Sequence, residues 1–336
     1  MVRTSPAWWA AGGLVAAAGV HAARTFGAVR PQLWRPELLS ASSVSDERDL
    51  ADLREMLGLP TGGRPGVEVT RRTAVHGDHR VPVLWFEPRR RTGPGAYVWL
   101  HGGGLVAGSA AADTSHCSRV AAELGIPVVA VDYRLAPEDP FPAALEDARA
   151  TLRWVLDGAA DAGVDPARIA IGGASAGGGL AAAVCQLVRD LGEPGACLQV
   201  LRYPMLDHRT RRGRTWRRYA WSPASNRFAW RCYLGAEVDA GADPPAYAVP
   251  ALARDLAGLP PAWIGIGEAD LFHDEARRYA ARLVADGVPT VFDAVPGMYH
   301  GAEGTAPDAP AMRAFVAREM RALGDGVAGM GQTSLP

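Results

Sequence analysis

The chain has 336 residues, of which 48% are hydrophobic and 21% charged, with a formal net charge of −1. This balance suits a globular protein with a sizeable core, and it carries neither the basic footprint of a nucleic-acid binder nor an acidic tail. Every basic residue is Arg, and four widely spaced cysteines (Cys117, Cys185, Cys197, Cys232) form neither a disulfide framework nor a metal-binding pair; they read as buried free thiols in a reducing, cytoplasmic setting.

Residues 7–22 are apolar apart from His21. The stretch is too short and too rich in Ala and Gly for a membrane span. Three readings stay open for it: a helix packed on the domain, a weak export signal, or a membrane-surface anchor. Two prolines break the chain at 30–36, and residues 45–57 predict an amphipathic helix with Leu50, Leu53, Met56 and Leu57 at helical spacing. Residues 60–65 read as a turn-rich linker. Residues 1–64 are thus expected to be an N-terminal helical segment, and the main domain starts near Val67.

From there strands alternate with helices. Strands are predicted at 80–86, 96–100, 127–131, 169–171, 197–203, 262–267 and 290–295. Helices are predicted at 113–124, 142–156, 275–285 and 309–323, with an Ala-rich one after Gly179. That alternation implies a mostly parallel sheet covered on both faces. Residues 207–249 interrupt it: the segment is rich in Arg, Trp and Tyr (Trp216, Tyr219, Trp221, Trp230, Tyr233) and has no strand pattern, as a helical lid would. The main domain is placed at 65–323, and 324–336 is expected to be a frayed tail.

The chemistry centres on Arg168-Ile-Ala-Ile-Gly-Gly-Ala-Ser-Ala-Gly-Gly-Gly-Leu180. Its Gly173-Ala174-Ser175-Ala176-Gly177 core matches the G-x-S-x-G nucleophile elbow in the strand-turn-helix context which that motif needs. A serine nucleophile requires a base, an acid to orient the base, and donors for the developing oxyanion. His101-Gly102-Gly103-Gly104 follows a predicted strand and offers glycine amides as backbone donors, with the amide of Ala176 as a third. Asp270 follows a later strand and fits the acid. Asp274 and Glu275 read as first-turn acids of the next helix, and Asp293 lies inside a strand. His300 comes last, in a turn, and fits the base. His76, His79, His116 and His208 read as ordinary surface or loop histidines.

Val131-Asp-Tyr-Arg-Leu-Ala-Pro-Glu138, Phe141-Pro-Ala-Ala144, Trp154, the HGGG loop, the GGASAGG elbow and Gly267-Glu-Ala-Asp270 together resemble the hormone-sensitive-lipase-like esterases of the α/β-hydrolase superfamily. The resemblance spans about residues 67–323. It implies the α/β-hydrolase fold: an eight-stranded, mostly parallel sheet flanked by helices, with a helical cap from the N-terminal segment and the insertion. It implies hydrolysis of a small-molecule carboxylic ester without cofactor or metal, with Ser175, Asp270 and His300 as catalytic residues. By position in the family's motifs Gly103, Gly104 and Ala176 would donate to the oxyanion, while His101, Arg134 and Glu138 would hold the architecture. An amidase, a lactonase or an acyl-peptide hydrolase would use the same residues, and a non-catalytic receptor would use the same scaffold. No nucleic-acid partner is expected, while weak membrane association through the N-terminus and a homodimer stay open. Two positions depart from the family pattern: Ala174, where many members carry Asp or another polar residue, and Ala302, where an aromatic residue often follows the His-Gly pair.

Overall fold

The computed structural model describes residues 28–35, 38, 43–210 and 220–329. The 7–22 stretch, Trp216 and Tyr219 lie outside the described residues. Eight strands form one sheet: β1 Val67–His76, β2 His79–Pro88, β3 Ala96–Leu100, β4 Val128–Val131, β5 Ile169–Ala174, β6 Leu198–Arg202, β7 Ala262–Gly267 and β8 Thr290–Val295. Their order is β1-β2-β4-β3-β5-β6-β7-β8, antiparallel at β1/β2 and β2/β4 and parallel elsewhere.

The five central parallel strands β3 to β7 are buried at every position, as sheet interiors covered on both faces must be. β1 is the exception. Only Ala74 in it is buried, and Arg71-Arg72 sit in its middle. An edge strand wetted on both faces has no apolar period, which is why the sequence pattern marks β2 but not β1 as a strand.

The helices are α1 Glu47–Gly58, α2 Thr114–Leu124, α3 Ala143–Asp157, α4 Ala176–Asp190, α5 Pro223–Leu234, α6 Ala236–Asp239, α7 His273–Ala285, α8 Ala302–Thr305 and α9 Pro310–Ala328. α2 and α9 share one face of the sheet; α3, α4 and α7 cover the other, where Gln186 of α4 donates to the Tyr279 hydroxyl of α7 at 3.0 Å. α9 continues to Ala328 with Val327 buried, so the predicted tail is helical for its first five residues. All four cysteines are free. Among the described residues no helix is long and apolar enough to cross a membrane.

α1 is less immersed than its pattern suggests. Only Leu50 is buried, and Met56 is 61% exposed. Arg54 holds the helix instead: its guanidinium donates to the carbonyls of Val106 (2.8 Å) and Ala136 (3.0 Å) and forks onto Glu138. Arg134 likewise grips Asp147 of α3 with Nε and Nη2 at 2.9 Å.

Glu275 has a different place from the one its sequence position suggests. It starts α7 but is buried, and its Oε1 accepts from the amides of Leu206 (2.6 Å) and Asp207 (3.3 Å), fixing the chain that leaves β6. Its Oε2 bonds to the Thr210 hydroxyl. Burial pushes this carboxyl from 4.5 up to about 8. The folded protein therefore keeps a proton there that the unfolded chain releases near pH 4.5. The stabilisation is complete below that pH and is lost as the pH rises through about 8. We expect the melting temperature to fall from about pH 5 to about pH 9 in the wild type, and to fall less in Glu275→Gln, whose amide oxygen still accepts from the two backbone amides without a titrating group. Superimposable melting profiles for the two proteins would exclude this assignment.

Candidate active site

Strand polarity gathers the chemistry at one edge. His101-Gly104 follows β3, Ser175 follows β5, Asp270 follows β7 and His300 follows β8, all at C-terminal strand ends. This is where parallel sheets present their loops to ligands.

Ser175 stands between β5 and α4 at φ 57, ψ −117, a backbone geometry that costs a non-glycine residue on the order of 1–3 kcal/mol. The surroundings hold it there. Its amide donates to the carbonyl of Arg202 (2.9 Å), and its carbonyl accepts from Gly179 (3.0 Å) and Met205 (2.9 Å). The elbow glycines are needed for close approach: a Cβ on Gly177 would sit 2.1 Å from the carbonyl oxygen of Leu100, and one on Gly173 2.4 Å from Gly177 itself.

The structure brings the three predicted side chains together. His300 Nε2 lies 3.0 Å from Ser175 Oγ, and His300 Nδ1 lies 2.8 Å from Asp270 Oδ2. Asp270 is fully buried, and its Oδ1 accepts from the Phe272 amide at 2.9 Å. With the carboxylate acceptor-only, the bond at Nδ1 assigns the proton to that nitrogen and leaves Nε2 to accept from the serine hydroxyl. The rejected acids lie elsewhere: Asp274 meets His273, and Asp293 accepts from Arg318 at 2.8 Å.

The glycine loop flanks the serine. A Cβ on Gly102 would lie 3.6 Å from the Cβ of Ser175, and Gly103 and Gly104 take φ 118 and φ 67. Among the described residues nothing accepts from the amides of Gly103, Gly104 or Ala176. His101 anchors the loop: its ring stacks on Tyr133 (4.1 Å, 9°), and the Tyr133 hydroxyl donates to the His101 carbonyl at 2.8 Å. Burial holds the His101 imidazole below its usual range, which keeps it neutral in that stack.

Three further neighbours complete the site: Trp221, which the sequence places only within the lid segment, and Tyr203 and Glu303, which it does not single out. Trp221 is buried, with its ring edge 2.5 Å from where a Cβ on Gly104 would stand. Tyr203 packs on His300 with centroids 4.5 Å apart, and Glu303 bonds to the Tyr203 hydroxyl. Glu303 had a local signal, three residues beyond His300, and Trp221 had one in the aromatic-rich insertion; Tyr203 had none. Two histidines read as peripheral are packed into the fold: His208 is buried, and half-buried His116 lies 4.2 Å from the Trp99 ring with Arg202 donating to its Nδ1 at 2.9 Å. Burial, with Arg202 and Arg119 nearby, drives the His116 imidazole well below its normal range. A cavity of about 480 Å³ opens behind this cluster, walled by Asp113, His116, Arg119, Arg202 and Glu303; Ser175, Asp270 and His300 do not line it. No group of metal-binding side chains occurs among the described residues.

Comparison with known proteins follows the same lines. Residues 97–303 match the family model described as alpha/beta hydrolase fold. The chain is 37% identical to carboxylesterase NlhH of Mycobacterium tuberculosis over 284 residues, covering 81% of this chain and 87% of that one. It is 38% identical to esterase LipI of the same organism over 237 residues, covering 67% and 71%. Among solved structures, a bacterial heroin esterase superposes with a TM-score of 0.81 at 33% identity, covering 90% of this chain and 99% of that one. With this geometry and these relatives, the chain belongs to the hormone-sensitive-lipase-like branch of the α/β-hydrolase family and is a carboxylic ester hydrolase.

Proposed function

We propose that Ser175 is the nucleophile, His300 the general base and Asp270 the residue that orients it, in hydrolysis of short- to medium-chain carboxylic esters. The observation that carries this reading is the unbroken hydrogen-bond line from Ser175 Oγ through His300 to Asp270, at 3.0 and 2.8 Å. Ser175 attacks the ester carbonyl as Nε2 takes its proton, and Asp270 stabilises the imidazolium that forms. The amides of Gly103, Gly104 and Ala176 receive the negative oxygen. The tetrahedral adduct then collapses, Nε2 returns the proton to the leaving alcohol, and the acyl group stays on Ser175. In the second half His300 takes a proton from water as its oxygen attacks the acyl carbon; the second adduct collapses with cleavage of the bond to Ser175 Oγ, Nε2 returns the proton to that oxygen, and the free acid departs.

We further propose that the described parts of 1–64 and 207–249 form a cap over this edge of the sheet. Supporting this, the Val44 amide donates to Ser225 Oγ of α5 at 3.0 Å, and the Phe141 amide donates to the Tyr233 carbonyl at 3.0 Å. The preference for shorter acyl chains rests on Trp221. Its indole packs on Gly104, held by Asn226 Oδ1 at 3.3 Å, after a left-handed turn at Ala220 (φ 62).

Three substitutions test these roles. Ser175→Ala should lower kcat on p-nitrophenyl butyrate by at least ~10⁴-fold, and undiminished turnover would refute the nucleophile. Gly104→Ala places a methyl 2.5 Å from Trp221 at a positive φ. Displacing that donor should cost about 10²- to 10³-fold in kcat, with melting temperature followed to separate loss of fold. Trp221→Ala should raise the ratio of kcat/KM for p-nitrophenyl octanoate over acetate by about tenfold; an unchanged ratio removes Trp221 from the acyl-binding wall.

A further inference from the structure

His300 is held by more than its carboxylate. One side of the imidazole rests on the Tyr203 ring, centroids 4.5 Å apart at 59°, and Phe272 meets it edge-on at 5.3 Å. Tyr203 follows β6 at φ 34, a left-handed geometry rare for a bulky residue, with its amide donating to the Gly265 carbonyl at 2.6 Å. Its hydroxyl donates to Glu303 Oε1. Glu303 is 11% exposed and accepts from Arg202 Nη1 at 3.4 Å, while Nε and Nη2 of the same guanidinium clasp Glu319 at 3.1 and 2.5 Å. Burial first, then the Glu303 charge, pushes the Tyr203 phenol well above its ordinary range, so it stays a donor.

This chain of contacts answers a need in the proposed cycle. In the free enzyme His300 is tied at both nitrogens, to Asp270 and to Ser175. Once the acyl group is on Ser175, that hydroxyl no longer has a proton to give, and Asp270 alone tethers the ring. A ring held by one bond can swing about it, just when Nε2 must aim at water. A second, non-polar contact against the ring limits that motion.

We propose that Tyr203 and Glu303 are positioning residues for deacylation: Glu303 pins the Tyr203 phenol, and the pinned ring keeps His300 aimed at the acyl carbon after Ser175 is esterified. The inference rests on the catalytic roles given under Proposed function. It goes beyond them, because no atom of Glu303 or Tyr203 need touch the substrate.

Stopped-flow hydrolysis of p-nitrophenyl acetate by the full chain separates the two half-reactions. In Tyr203→Phe and Glu303→Leu, deacylation should slow by about tenfold while acylation stays within about twofold. A burst of p-nitrophenol approaching one per site then appears, and kcat and KM fall together. Glu303→Gln, whose amide oxygen still accepts from the phenol, should stay close to wild type in both burst and kcat. A purely structural role would lower the active fraction without creating a burst. If Glu303→Leu does not fold, Tyr203→Phe against Glu303→Gln decides alone. Wild-type burst and kcat in Tyr203→Phe, or equal defects in Glu303→Gln and Tyr203→Phe, would overturn the proposal. Intact-mass detection of an acetyl adduct that Ser175→Ala abolishes keeps the two claims apart. Undiminished turnover in Ser175→Ala would refute the Ser175 mechanism itself, whereas an adduct whose decay is the same in wild type and Tyr203→Phe refutes only the positioning role.

Discussion

The architecture turns on one steric constraint, the close approach of the ends of β3 and β5 beneath the elbow. The carbonyl oxygen of Leu100 stands 2.1 Å from where a Cβ on Gly177 would be, and a Cβ on Gly173 would come within 2.4 Å of Gly177. Only bare glycine backbones let α4 start this near β3. That proximity sets the HGGG loop beside Ser175 and gives the serine a left-handed turn it would not choose alone. Strain at one residue is repaid by three backbone hydrogen bonds to its amide and carbonyl.

A second constraint is electrostatic and lies one strand over. Arg202 ends β6 in a buried position and is shared among Glu319, Glu303 and His116, with its guanidinium over the Trp99 ring. Burial raises the Glu319 carboxyl while the paired Arg202 opposes that rise. Removing one member of such a cluster strands the other charge in a poorly solvated place, commonly at a cost of about 3–5 kcal/mol. The same Arg202 offers its carbonyl to the Ser175 amide. Nucleophile turn, ion cluster and the Tyr203 support of His300 therefore share two consecutive residues.

α1 and the region beyond β6 are fixed at polar points as well as through buried Trp221, Ala229, Trp230 and Tyr233. Arg54 reaches two carbonyls and Glu138, Ser225 receives the Val44 amide, and Glu275 collects two amides from the chain leaving β6. Directional contacts of this kind fix where Trp221 sits over Gly104. A loosely buried amphipathic helix such as α1, with Leu50 alone in the core, would not do so by itself.

By itself the sequence determined the parallel sheet, the order of its chemistry and the identity of Ser175, Asp270 and His300 as the candidates. Those features are local: apolar runs of strand length, glycines that permit one backbone shape, and polar residues placed just after strands. β3, β7 and β8 were legible to the residue for that reason, and β1 was not, because a wetted edge strand leaves no period. The roles of Glu275, Arg202, His116, Tyr203, Glu303 and Trp221 depended on tertiary structure. Each meets partners distant in the chain, and whether a charged side chain is solvated or buried is decided by what packs against it, which no local pattern encodes.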